Sequence, residues 1–460
     1  MKKIATLLLT SMLAMTVASC TPATPTTTAG GTTPATTPST TAAGTTTPAT
    51  TPATTTASVT DPKATITVQA EAGWKPYYEQ AVANMKTKFP GSTVTLVEVG
   101  AMDNLTIIDT TDAMNEAVPD VFAVPADRLP SMINKQAFTP IPAADMAAAI
   151  GGYDNFETYG SILKDGDDYL AFPMNIETLI TFVNPKNAQD LGIDLTKPFE
   201  VKDQKGNELA VEAYNAWFGV AFANAVGLDL LGKDGTTFTS DMIKDWADLG
   251  AEKQGVITEL YNYWKRVYDN SPELWDTQTA GGKINEMFKD GGKVAMRIDG
   301  PWATPNLVKD VPGLDVLPLS HITVNGAPLK HWQGLWGLGI NSRNEGDAAK
   351  MTLAQEFIQE LLNPANAEAF FKATGKIMPN VPAATYEATG LTDIEKKTIS
   401  ATIESFKTAE NRPLFAEWGQ VWNTWQDAMI SWNSSKPANA EAAYKALQDS
   451  FKAMMGNIAQ

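Results

Sequence analysis

The stretch Lys293–Leu307, KVAMRIDGPWATPNL, is where the fold is most legible. Val294, Met296 and Ile298 alternate with Ala295 and Arg297, the two-residue period of a half-buried strand. Gly300-Pro301 then stops the strand, and Trp302 follows on the turn. An indole placed where loops meet water suits two situations. Either the ring packs down onto the turn, or it stays open for a flat ligand to lie on.

The same rhythm of strand, turn and helix extends in both directions. Ala64–Ala70, ATITVQA, reads as a strand. Tyr77–Phe89 carries Ala81, Val82 and Met85 at helical spacing and stops at Pro90-Gly91. Val94–Val99 is the next strand, 102–117 a helix, and Asp120–Val124 a short buried strand. Strands alternating with helices predict parallel α/β layers. A hairpin-like passage surrounds Asp165-Gly166, and a second α/β region begins near Leu191. The last eighty residues read as mainly helical. There Trp418, Trp422, Trp425, Met429 and Trp432 recur at three- and four-residue steps, the pattern of a helix packing aromatics into a core. Trp418, nearest the helix start, is the one expected to face a cleft.

The N-terminus has a different character. Lys2 and Lys3 precede a short apolar run, Ile4–Val17, and then Val17-Ala18-Ser19-Cys20. This resembles the lipobox of bacterial lipoproteins, which implies a signal peptide over 1–19 and a lipidated Cys20. The other reading is an ordinary secretory signal. Cys20 is the only cysteine, so no internal disulfide and no cysteine metal site is expected. Thr21–Thr60 holds twenty Thr and six Pro and no charge, so it cannot bury enough apolar surface to offset its ordering entropy. Residues 20–62 are therefore expected to tether a folded body to the membrane surface. The remaining 400 or so residues suffice for two or more domains.

Loss of Lys2 and Lys3 with the signal would take the formal charge from −17 to −19. That disfavours nucleic acid or anionic lipid as the main ligand. Two histidines, His321 and His331, leave little for the common zinc sites or for Ser-His-Asp catalysis. There is no G-x-S-x-G, H-E-x-x-H, Walker A or Rossmann pattern. Asp165–Tyr169, DGDDY, lacks the later ligands of a calcium loop and reads as a turn. A glycosidase needs only two carboxylates, and with 52 acidic residues no pair is singled out or excluded. No catalytic residue, metal or cofactor is expected; binding is favoured over chemistry.

Five passages in order resemble one family, the extracellular solute-binding proteins of bacterial ABC importers, in their maltose/maltodextrin-binding branch. They are Val118–Ile141, Tyr169–Asn184, Glu212–Gly227, Met287–Trp302 (MFKDGGKVAMRIDGPW) and Leu335–Ser342 with the helix after it. The resemblance implies an α/β, two-lobe periplasmic-binding-protein-like fold with a hinge and discontinuous lobes, 63–175 plus 319–378 and 176–318 plus 379–460. It implies a malto-oligosaccharide ligand, delivery to ABC permease membrane subunits, a monomer, and an extracytoplasmic body anchored through Cys20. A xylo-, manno- or galacto-oligosaccharide is the alternative ligand, and a surface glycoside hydrolase or adhesin a more distant alternative.

By the same resemblance, Asp127 and Arg128 match an Asp-Arg pair that accepts from and donates to hydroxyls. Glu177 matches an acid near a hinge crossing. Glu212 and Tyr214 match an acid and a stacking aromatic, with Trp217 left to the core. Trp302 matches the stacking Trp of G-P-W. Two places depart from the pattern. Val124 stands where the family often has an aromatic, so Trp74 is expected to replace it, with Lys75 beside it as a donor. Ungapped matching puts Gly419 at the late Trp position, and Trp418, one residue earlier, is expected to serve instead.

Overall fold

The computed structural model describes residues 60–458. The signal segment, Cys20 and the tether up to residue 59 lie outside the described residues. The elements that build the site are, in chain order, β1 (Thr65–Ala70), α1 (Lys75–Lys88), β2 (Thr93–Glu98), α2 (Ala101–Thr110), β3 (Val121–Pro125), β4 (Ala171–Glu177), β5 (Ile180–Val183), α3 (Ala216–Ala225), β6 (Met296–Asp299), α4 (Thr304–Asp310), β7 (Asp315–Pro318), β8 (Trp332–Asn341), α5 (Ala367–Thr374), α6 (Asp393–Thr408) and α7 (Gly419–Ile430).

The alternating segments form a first sheet in which β1 lies parallel between β2 and β3. β8 runs antiparallel to β3 and also to β4. The helix expected over 102–117 stops at Thr110. Thr111 leaves helical angles, and Asp112 and Asn115 each accept a backbone N–H two residues on. Such side-chain turns compete with helix propagation.

In the second sheet β5 lies antiparallel between β6 and β7, and β6 pairs in parallel with Leu209–Ala210. The strand read from Lys293 is shorter than the alternation suggested. It begins at Met296, and Val294 and Ala295 are already buried ahead of it. After Gly300, Pro301–Ala303 makes one tight turn of 3-10 helix and α4 follows.

Two hydrophobic cores result. The first takes in 64–176 and 335–399, the second 179–332 and 401–454. The chain thus changes core at three places: between Ile176 and Leu179, along β8 between Trp332 and Leu335, and along α6, where Ile394 and Ala401 meet the second core and Ile399 and Ile403 the first. The second and third changes fall later than the boundaries at 318/319 and 378/379. Ile322–Val324 pairs with Phe199–Glu200 and so stays with the second core. Tyr386 packs on Phe371 and its hydroxyl accepts the Met378 N–H, which keeps 379–391 with the first. Among the described residues no helix is long and apolar enough to cross a membrane.

Candidate functional site

Where the chain changes core, side chains from both cores face one cavity of about 1490 Å³. Five indoles line it: Trp74 and Trp336 from the first core, Trp217, Trp302 and Trp422 packed on the second. Trp302 is half-buried and stands 6.2 Å from Trp217, with the rings tilted by 48°. Trp74 is only 4% exposed and packs on Tyr78, so it presents little of its face.

Trp336 fills the place left by Val124. Val124 is fully buried, and the strand next to it supplies the indole, because Trp336 lies opposite Pro125 across the β3–β8 pair. Its Nε1–H donates to Glu177 Oε1 at 2.7 Å. Gly334 lets β4 come close, since a Cβ there would fall 2.7 Å from Glu177 Cγ. The other carboxylate oxygen of Glu177 is 3.7 Å from Lys376 Nζ. Lys376 also stands over Trp336 and Trp74, 4.5 and 5.4 Å from the ring centroids. A buried ammonium is held here by one carboxylate and two ring faces, the arrangement a desolvated cation needs.

Opposite stands a second buried pair. Asp127 meets Arg412 at 2.6 Å, with side chains 9% and 7% exposed. Asp127 follows β3 of the first core. The Arg412 guanidinium lies over Trp217, Trp332 and Trp422 at 4.7, 5.5 and 5.9 Å, against the second. The ion pair therefore bridges the two cores. Arg128 does not join its neighbour; it pairs with Asp109 of α2 while still lining the cavity.

Beneath Trp217 sits His331, fully buried, its Nε2 2.8 Å from the Trp217 carbonyl and its ring 4.4 Å from the indole. Burial, with Arg412's charge adding to it, pushes its pKa down to about 3. A neutral imidazole donates through that nitrogen and supports the indole from below.

A further contact joins the two cores at α5. Gly375 ends that helix in the left-handed conformation, φ 66°. A Cβ there would fall 2.6 Å from the Pro301 oxygen and 2.8 Å from Trp302 Cα. Only glycine lets the turn bearing Trp302 rest on the end of α5.

Of the residues expected at a site, Trp74, Asp127, Arg128, Glu177 and Trp302 line this cavity. Four do not. Lys75 is engaged by Glu98 at 3.1 Å on the outer face. Tyr214 is 2% exposed and packs edge-on to Trp275, so its ring has no open face. Glu212 lies under the Tyr214 hydroxyl at 3.3 Å, and burial raises its pKa. Trp418 is 5% exposed and packs edge-on to Trp332 at 4.8 Å, whereas Gly419 and Trp422 reach the cavity. Trp217, read as core, is a wall of the cavity instead. Trp336, Lys376, Arg412 and Trp422 were not singled out. For Trp336 a signal existed, an indole set among the glycines of β8; for Lys376 and Arg412 there was none.

No group of three or more His, Cys, Asp or Glu stands together as a metal site among the described residues.

The chain is 26% identical over 414 residues to a maltooligosaccharide ABC transporter solute-binding lipoprotein of Streptococcus pneumoniae, 85% of this chain and 90% of that one. It is 25% identical over 405 residues to the maltodextrin-binding protein MdxE of Bacillus subtilis, covering 84% and 89%. Among solved structures, MalX from Streptococcus pneumoniae with maltopentaose superposes with a TM-score of 0.65 at 21% identity, over 84% of this chain and 99% of that one. The Thermus thermophilus maltotriose binding protein with maltotriose superposes with a TM-score of 0.64 at 20% identity, over 85% and 100%. These likenesses establish the two-lobe α/β fold. The model of the bacterial extracellular solute-binding protein family matches residues 80–396, and the chain belongs to that family.

Proposed function

We propose that this protein binds maltodextrins between its two lobes and delivers them to an ABC permease. The observation that carries the reading is the set of indoles from both cores around one cavity. Pyranose rings present flat C–H faces, which bury area on an indole and meet the negative face of its π-system. Hydroxyls at the ring edge are met by carboxylate acceptors and charged donors, the stronger kind of hydrogen bond. Asp127, Arg128, Glu177, Lys376 and Arg412 supply both kinds around the cavity. A ligand touching both lobes favours the closed arrangement by its differential affinity, and the permease is taken to recognise that arrangement. The reading includes lipid anchoring at Cys20, a monomeric body held outside the membrane by the Thr/Pro tether, and no covalent step, transport energy coming from partner ATPases.

Two substitutions test it. Trp302→Ala is expected to weaken maltotriose binding by at least about 1 kcal/mol, roughly fivefold, while the thermal midpoint moves by only a few degrees. Unchanged affinity with a large loss of stability makes Trp302 a packed turn aromatic and removes it from the site. Gly375→Ala places a Cβ against the turn that bears Trp302, so it obstructs closure. It is expected to weaken maltotriose at least about tenfold in calorimetry. The same titrations with xylo-, manno- and galacto-oligosaccharides decide the sugar class. Response to one of these alone overturns the maltodextrin reading, and sustained release of shortened products from maltooligosaccharides overturns binding without chemistry.

A further inference from the structure

β2 is the last strand of the first sheet, and among the described residues its only partner is β1. Thr93 and Val99 turn their N–H groups inward, to the carbonyls of Ala64 and Ala70. Backbone groups alternate sides along a strand, so Val94, Leu96 and Glu98 turn theirs outward. Sheet edges are commonly guarded by charge, proline or a bulge. Here charge guards only the far end, where Glu98 pairs with Lys75. Val94 and Leu96 are uncharged, and both lie half-buried against the first core. Beside Val94 a groove of about 150 Å³ opens between β2, Val82 and Met85 of α1, and Leu353 of the helix Ala348–Leu361.

The chain enters the folded body at this edge. Asp61 accepts from the Gly91 N–H at 2.5 Å and from the Ser92 hydroxyl at 2.7 Å, just ahead of β2. Residues 61–64 then lead into β1. Four extended residues reach about 13 Å, more than the roughly 10 Å between strands two places apart in a sheet. The stretch before Asp61 can therefore lie along the outer side of β2, antiparallel to it. Counted back from Asp61 beside Ser92, Val59 falls opposite Val94, and Ala57 opposite Leu96.

Thr56–Thr60, TASVT, suits that place. Opposite residues share one face of a sheet. Val59 and Ala57 would meet the groove and the core, and Thr56, Ser58 and Thr60 would face water, the two-residue alternation of a half-buried strand. The stretch holds no Pro, Gly or charge, and Thr and Val favour extended backbone. Within Thr21–Thr60 the only Val, Leu, Ile, Met or aromatic residue is Val59.

We propose that Thr56–Thr60, the end of the tether, binds along the free edge of β2 as a short antiparallel strand with Val59 in the groove. Val94 and Leu96 then exchange both of their outward hydrogen bonds with Val59 and Ala57. The ordering cost falls on few residues, whose end Asp61 already holds. Covered in this way, the uncharged part of the edge is closed to a second copy of the chain.

Hydrogen exchange on the full chain tests it, read at the Val94 and Leu96 amides. Both are expected to be protected like the Thr95 amide, which faces β1. Ala57→Pro removes the N–H that the Leu96 carbonyl accepts, and Val59→Asp puts a charge against Val82 and Met85. Each should speed exchange at Val94 and Leu96 at least about tenfold and leave Thr95 unchanged. Neither substitution falls on a residue of the two cores, so the fold is kept. Fast exchange of Val94 and Leu96 in the unaltered chain overturns the proposal. So does protection that survives both variants. Protection lost on dilution, together with a change in sedimentation, also overturns it and gives the edge to a second copy.

Discussion

Glu177→Ala is expected to destabilise the protein by about 3–5 kcal/mol, the range for removing one partner of a buried ion pair. The glutamate accepts from Trp336 Nε1 at 2.7 Å and stands 3.7 Å from Lys376 Nζ. The side chains of the pair are 6% and 8% exposed. Alanine leaves the ammonium between two indoles with no counter-charge, and leaves the indole N–H without an acceptor. The double change Glu177→Leu with Lys376→Met removes both charges together and should recover most of the loss, because apolar side chains fill the site without unpaired polar groups. Chemical denaturation of the three variants makes the comparison. A single change that costs less than about 1 kcal/mol would mean that water reaches the pair, as at a surface bridge. The effect lies where the chain first changes core, so it also tests whether this pair stiffens the crossing from β4 to β5.

Acidification should produce the second large effect, through His331. Burial holds its pKa at about 3 in the folded protein, while the unfolded chain takes up the proton near the ordinary value of 6.5. The unfolded state then binds the extra proton throughout this interval. Stability is therefore complete above about pH 6.5 and falls as the pH drops toward 3, by at most about 1.4 kcal/mol per pH unit. Between pH 6.5 and 4 the loss is on the order of 3 kcal/mol. His321 is shifted down by burial as well and adds in the same direction. Glu212, Asp229 and Glu259, raised by burial, act in the opposite sense. The difference between the protein and His331→Asn isolates the one residue. Thermal midpoints of the parent should fall more steeply from pH 6.5 to 4.5 than those of the variant, and parallel curves would show that the imidazole titrates in the folded state. Because His331 supports Trp217, the same protonation should loosen that wall of the cleft.

Much of this molecule was legible in one dimension. The alternation in ATITVQA and KVAMRIDG is a local property, set by which side of a strand is dry, and it survives in β1 and β6. The G-P-W turn is local too, and Trp302 stands at the cavity where the turn puts it. Asp127 and Arg128 follow the end of β3 and Glu177 is the last residue of β4, and all three line the cavity. The lobe boundaries were less legible. Leu319 to Trp332 joins the second core through pairing with Phe199–Glu200, a partner more than a hundred residues away.

The aromatic residues divide the two kinds of information most sharply. That the late tryptophans lie on a helix follows from their three- and four-residue steps alone. Which of them faces the cleft depends on how that helix is rotated about its axis. The rotation is set by contacts distant in sequence: Trp425 Nε1 donates to the Ala213 carbonyl, and Trp418 lies edge-on to Trp332. That turns Trp422 outward. The exchange of Tyr214 for Trp217 has the same cause, since Tyr214 is drawn down onto Trp275 and Trp217 is left at the wall. Arg412 and Lys376 are recognisable only by what surrounds them, a carboxylate and ring faces brought from other parts of the chain. The sequence by itself determined the layered α/β body and the indole at its turn, because period and turn chemistry are local. Tertiary structure alone decided which rings and charges share one cavity, because that is a matter of helix rotation and long-range pairing, and neither leaves a mark on nearest neighbours.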